Sequence, residues 1–131
     1  MLARHFKSAV ELGIAISELD AFRQLLGMLE RGELVHADPR CPAVPNGFNM
    51  SSAEVRSNCG FTACLYGLVK RLSGRWMTEF SANSNLEELF CPWSIVGERT
   101  LSKITPQEAA LALRNFLTLG EACWPEIIGL F

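Results

Sequence analysis

Two cysteines frame a short segment, Asn58-Cys59-Gly60-Phe61-Thr62-Ala63-Cys64, whose residue types could do nucleophilic chemistry. If a helix begins at Asn58, Cys59 falls in its first turn. Free backbone N–H groups and the helix dipole stabilise a thiolate there. A thiol hydrolase also needs a base, and the chain has two histidines, His5 and His36. His36 with Asp38 would complete a Cys–His–Asp set from across a long loop. No Asn or Gln falls in an evident oxyanion position, and 131 residues is small for such an enzyme. The plainer reading buries Cys59 and Cys64 and uses Gly60 to let the chain approach a neighbour closely. No catalytic residue is therefore assigned. A thiol-dependent hydrolase with Cys59 as nucleophile, His36 as base and Asp38 behind it stands as the alternative.

Metal binding is the second chemistry to weigh. Zinc takes about four N or S ligands, commonly paired at Cys-x2–4-Cys spacing. Cys59 and Cys64 sit at the edge of that range. On a helix they would diverge by about 140°, which makes a poor chelate. Cys41, Cys91 and His36 would have to contribute from loops. No compact Cys/His pair is present, so no metal and no cofactor is assigned. Phosphate-loop and dinucleotide signatures are also absent. Trp76, Trp93 and Trp124, with the terminal Phe131, are the candidates for a protein-binding surface, because Trp is enriched at hot spots. Core packing is the competing explanation for each of them. Lys70, Arg71 and Arg75 form a small basic cluster that suits a helix C-terminus.

The elements that must position these residues are mostly helical. Ala3 to Leu12 is amphipathic, with Phe6, Val10 and Leu12 on its apolar side, and Gly13 ends it. Ser17 followed by Asp20 resembles a capping box. Leu19, Phe22, Leu25, Leu26 and Leu29 then recur at helical spacing, and Gly32 supplies the C-terminal cap. Pro39, Pro42 and Pro45, then Asn46-Gly47, predict a loop from His36 to Ser57. Its apolar residues Val44, Phe48 and Met50 should pack down on the domain. A central helix is predicted from Cys59 to Leu72, with Phe61, Leu65, Leu68, Val69 and Leu72 on its apolar face and Gly74 beyond its end. Arg75 to Ser84 alternates weakly, as a short strand would, and Asn85 to Phe90 reads as a brief helix stopped by Pro92. The last helix has the best start signal: Thr105 caps, Pro106 takes the first position and Glu108 closes a capping box. Gly120 ends it. Trp124, Ile127, Ile128, Leu130 and Phe131 then form an apolar tail that must pack on the core or on a partner. The expected fold is all-α, one domain over residues 1–131 with about four to five helices and room for one small β-hairpin.

Composition bounds the function. Hydrophobic residues are 49% and charged residues 20%, unlike a disordered chain. The net charge of −2 carries none of the basic excess expected of a nucleic-acid binder, so no nucleic-acid partner is expected. The longest early apolar stretch, Ala9 to Ile16, is interrupted by Glu11 and Gly13 and is too short for a membrane span or a secretion signal. A cytoplasmic location follows as the expectation. Five cysteines, an odd count, then point to reduced thiols rather than a disulfide framework.

Several of these pieces recur together: Phe48-x-Met50, Cys59-Gly60-x-Thr62-Ala63-Cys64-x-x-Gly67, Leu89-Phe90, and Ile104-Thr105-Pro106-x-Glu108-Ala109-Ala110 with Phe116-Leu117 and Gly120-Glu121. Across residues 48–124 the chain resembles a set of small bacterial and phage proteins with a Cys-Gly-Thr-x-Ala-Cys-x-x-Gly-Trp core. It departs from them where Phe61 replaces the usual Thr and Leu68 replaces the Trp. The resemblance implies a helical domain of bacterial or mobile-element origin and transfers no catalytic residue. Phages often encode small acidic proteins that block host machinery, CRISPR effectors among them. By that analogy the expectation is a non-enzymatic protein-binding module, with a protein partner or self-association, inhibiting a host system such as CRISPR.

Overall fold

The structure, a computed structural model, describes residues 6–37, 46–51, 55–57, 60–74, 83–92 and 101–129. Among the described residues the chain is mainly helical, with six helices and a small four-stranded sheet. The first helix, α1 (Ala9–Leu12), is a single turn. Ser8 and Glu11 start it with a reciprocal capping box: Ser8 N–H donates to Glu11 Oε1 at 2.9 Å, and Glu11 N–H to Ser8 Oγ at 3.2 Å. Gly13 stops it at φ 72°, a conformation that favours glycine. Helix α2 (Ile16–Glu30) begins two residues earlier than a Ser17 cap would allow. Its N-cap is Ala15, and the Glu18 carboxylate accepts the Ala15 N–H at 2.8 Å. Glu18 thus supplies from inside the first turn what the alanine side chain cannot.

The sheet corrects the all-α expectation. Its strands are β1 (Val35–His36), β2 (Gly47–Phe48), β3 (Val55–Ser57) and β4 (Gly60–Ala63), in the order β1-β2-β4-β3. Strand β3 pairs antiparallel with β4, Ser57 opposite Gly60. Both β1–β2 and β2–β4 are parallel, so the sheet is more than a hairpin. Three of these strands lie in the segment expected to be loop, which folds back along β4.

The fourth strand takes the start of the predicted central helix, which here begins only at Leu65 (α3, Leu65–Ser73). Phe61, Leu65 and Leu68 fit helical spacing whichever way residues 60–63 fold. Periodicity cannot separate the two over so short a run. Pairing on both sides of β4 decides it. Gly47 makes one of those pairings possible: a Cβ there would lie 2.8 Å from the Phe61 carbonyl oxygen and closer still to Thr62 Oγ1. Only a residue without a side chain lets β2 sit this close to β4.

The remaining helices follow their sequence signals. In α4 (Ser84–Phe90) the Asn83 side chain caps the start, accepting the Leu86 N–H at 3.1 Å. The strand expected over Arg75 to Ser84 is replaced at its end by this helix; residues 75–82 lie outside the described residues. Helix α5 (Pro106–Leu119) shows the expected capping box, with Glu108 N–H donating to Thr105 Oγ1 at 3.1 Å and Thr105 N–H to Glu108 Oε1 at 2.9 Å. Gly120 ends it at φ 88°. The tail forms α6 (Trp124–Ile128).

Helix α2 packs on both α3 and α5. Phe22 sits at their junction with α4, its ring 5.8 Å from those of Phe90 and Phe116. Phe48, Leu65, Leu68, Leu113 and Trp124 join it in one buried cluster. Burying each such side chain contributes about 1.5–3 kcal/mol. Among the described residues no helix is long and apolar enough to cross a membrane.

Candidate functional site

Three thiols can be placed, and each occupies a helix end. Cys64 is the N-cap of α3, Cys91 the C-cap of α4 and Cys123 the N-cap of α6. The helix start expected at Asn58 lies at Cys64 instead, because residues 60–63 are strand. The free amides of α3 therefore serve Cys64 rather than Cys59. Burial is the larger influence on Cys64 and pushes its thiol pKa up; the backbone amides of Gly67 and Tyr66 pull the other way. They make no capping hydrogen bond to the sulfur.

The other two thiols are also held in the neutral form. Burial raises the Cys91 pKa first, and the Glu87 carboxylate adds to it. Burial again leads for Cys123, followed by Glu121, Glu126 and Glu88. Cys123 adopts the left-handed region at φ 60°, and its Sγ–H points to the Glu121 carbonyl at 3.7 Å. A thiol is a weak nucleophile and the thiolate a strong one, so none of the three is disposed for catalysis.

His36 is exposed on β1, and its Nε2 lies 2.7 Å from the Ser102 carbonyl oxygen, to which it donates. The register aligns His36 with Phe48 and Ala63 across three strands. Two strand spacings, roughly 10 Å, separate it from the residue preceding Cys64. His36 is thus not poised as a base for that sulfur. Cys59 and Asp38, the other members of the expected triad, lie outside the described residues, as do Cys41, Trp76, Trp93 and Phe131. Among the described residues no cluster of three or more His, Cys, Asp or Glu side chains could hold a metal.

Trp124 is described, and it is 1% exposed. It belongs to the core, the packing alternative, and among the described residues its buried indole N–H has no hydrogen-bond partner. Asn115 helps hold the turn before it, donating from Nδ2 to the Ala122 carbonyl at 3.0 Å. The basic cluster is likewise partly engaged: the Arg71 guanidinium lies 4.3 Å from the Phe61 ring centroid and donates to Asn46 Oδ1 at 3.3 Å.

The described surface offers a different feature. Helix α1, the end of α5 and the start of α4 enclose an open groove of about 350 Å³. Three hydrogen-bonded features shape it. Lys7 N–H donates to the Leu117 carbonyl at 2.7 Å, satisfying an acceptor in the last turn of α5. Asn83 Nδ2 donates to the Leu12 carbonyl at 2.8 Å, joining α4 to α1. The Ser8–Glu11 capping box orients α1 between them. Val10 and Leu119 line this groove and remain 91% and 59% exposed.

Lys7 and Glu11 supply opposite charges beside the two apolar residues. The Ser8 amide, then the Ser8 hydroxyl, and then Lys7 hold the Glu11 carboxyl below its ordinary pKa. The sequence placed Val10 on the inward face with Phe6 and Leu12. Phe6 precedes the helix, however, so one turn of α1 buries Ala9 and Leu12 and turns Val10 out. Comparison with protein-family models, with curated proteins and with solved structures finds no match.

Proposed function

We propose that the chain is a non-enzymatic protein-binding module whose docking surface is the groove between α1 and α5. One observation carries the reading: Val10 and Leu119, both well exposed, face a single groove flanked by Lys7 and Glu11. Exposed apolar side chains set among polar and charged groups are a combination found at protein interfaces. The engagement of His36, the base the hydrolase alternative needs, with the Ser102 carbonyl supports the same side of the choice. The partner is a protein segment with an apolar side chain to fill the groove. The resemblance to bacterial and phage proteins makes a component of host machinery, CRISPR effectors included, the class to search first.

The test places a photo-crosslinking amino acid at Val10 or Leu119, with Gln107 as an exposed control on α5. In bacterial cells the expected result is a discrete adduct from positions 10 and 119 and none from 107. An adduct of twice the chain mass would identify a second copy as the partner. No adduct, or the same adducts from all three positions, would overturn the reading.

A further inference from the structure

We propose that Asn46 is a self-modifying site: it deamidates through the Gly47 nitrogen, and the Arg71 guanidinium directs the reaction to the normal aspartyl product. The inference is independent of the docking groove. Asn46 is the only asparagine in the sequence followed by glycine. Glycine leaves the attacking nitrogen unshielded by a side chain. Arg71 Nη1 donates to Asn46 Oδ1 at 3.3 Å, and the same guanidinium lies 4.3 Å from the Phe61 ring centroid on β4. Asn46 is half-buried at the entry to β2 and Arg71 is exposed, so water reaches the pair.

The sheet sets the rate. The Asn46 and Phe48 carbonyls accept from the Val35 and Ala37 N–H groups, and Asn49 N–H donates to the Ala63 carbonyl, each at 3.0 Å. The alternation of a parallel ladder then turns the Gly47 N–H toward β4. Cyclisation must first free that nitrogen by local opening of the two-residue strand β2. The Gly47 nitrogen loses its proton to hydroxide and attacks Asn46 Cγ. Negative charge develops on Oδ1, where Arg71 already donates. The Cγ–Nδ2 bond breaks, the leaving nitrogen takes a proton, and ammonia departs from a succinimide. Water then adds to one of the two succinimide carbonyls. Attack at Cγ breaks its bond to the Gly47 nitrogen, returns a proton to that nitrogen and gives aspartate. Overall one water is consumed and one ammonia released. Attack at the Asn46 backbone carbon gives isoaspartate instead. The oxygen there has only the neutral Val35 N–H as its ladder donor, a weaker one than a guanidinium. Isoaspartate also adds a backbone methylene where Gly47 lies too close to β4 for a single Cβ.

The native chain is incubated at mildly alkaline pH, well beyond the time that fully converts the denatured chain. Mass spectrometry of the peptides locates each deamidation, and chromatography with an isoaspartyl methyltransferase tells the two products apart. The expected result is conversion at Asn46, several-fold slower than in the denatured chain, with aspartate as the major product. Isoaspartate should dominate only after denaturation. Asn83, followed by Ser84, serves as the internal control. Arg71→Gln should shift the folded product toward isoaspartate, and Arg71→Lys, which keeps the charge, should restore part of the aspartate. A fold monitor on each variant, with the wild-type comparison of native and denatured product ratios standing on its own, keeps misfolding from deciding the result. No conversion in the native chain, isoaspartate as its major product, equal conversion at Asn83, or a product ratio unchanged by Arg71→Gln would overturn the proposal.

Discussion

At the scale of the residue, environment outweighs type. Cys64 has the helix N-terminus that activates thiols in other settings, yet its burial has the larger effect and keeps it protonated. This has a consequence for stability. The folded chain holds the Cys64 proton to higher pH than the unfolded chain, whose thiols ionise near about 8.5. Above that pH the folded state binds more protons, so stability falls as pH rises toward the folded pKa. The contribution is intact below the unfolded value. Denaturant midpoints measured from neutral to alkaline pH should therefore decline, and Cys64→Ala should flatten that decline. An identical slope in both proteins would mean the ionisation of Cys64 is not linked to folding.

Elements show where local signals suffice. Thr105, Pro106 and Glu108 are contiguous and satisfy one another, so the start of α5 is legible without any tertiary contact. The start of α2 is not, because two capping arrangements compete over adjacent residues and the chain uses Ala15 with Glu18. Mutagenesis separates them. Thr105→Ala should cost about 1 kcal/mol, the usual worth of an N-cap. Ser17→Ala, inside the first turn of α2, should change stability by less than about 0.5 kcal/mol, as surface substitutions do. Equal losses from the two in chemical denaturation would restore Ser17 as a cap. The Arg114–Glu30 pair, two hydrogen bonds of 2.8 Å on a partly exposed surface, ties α5 to α2 but adds little.

On the scale of the whole molecule, the described part of the tail packs on the core through Trp124. Trp124 is buried in the cluster that also contains Phe22 and Phe116. Trp124→Ala should cost about 3–5 kcal/mol, the range for a large aromatic lost from a packed interior. A thermal or denaturant melt within 1 kcal/mol of wild type, by order of magnitude, would instead put Trp124 at the surface. That outcome would return it to the candidates for partner binding.

The sequence by itself determined the features that a few neighbouring residues can settle. The helices near residues 16–30, 84–90 and 106–119 and most of their buried faces were readable from spacing, as were the glycine stops of the first and last and the capping box that opens the last. Tertiary structure alone decided the sheet and, through it, the site. Gly60 to Ala63 becomes strand because β2 and β3 flank it, and β2 comes from a stretch whose prolines and turn residues read as loop. Parallel pairing between segments so far apart leaves no local periodicity to read. With that strand in place, the helix N-terminus moves from Asn58 to Cys64, and the sulfur it meets is a buried one. The exposure of Val10 was hidden for the converse reason. Its spacing from Phe6 is helical in sequence, but the helix that would make the spacing meaningful begins only at Ala9.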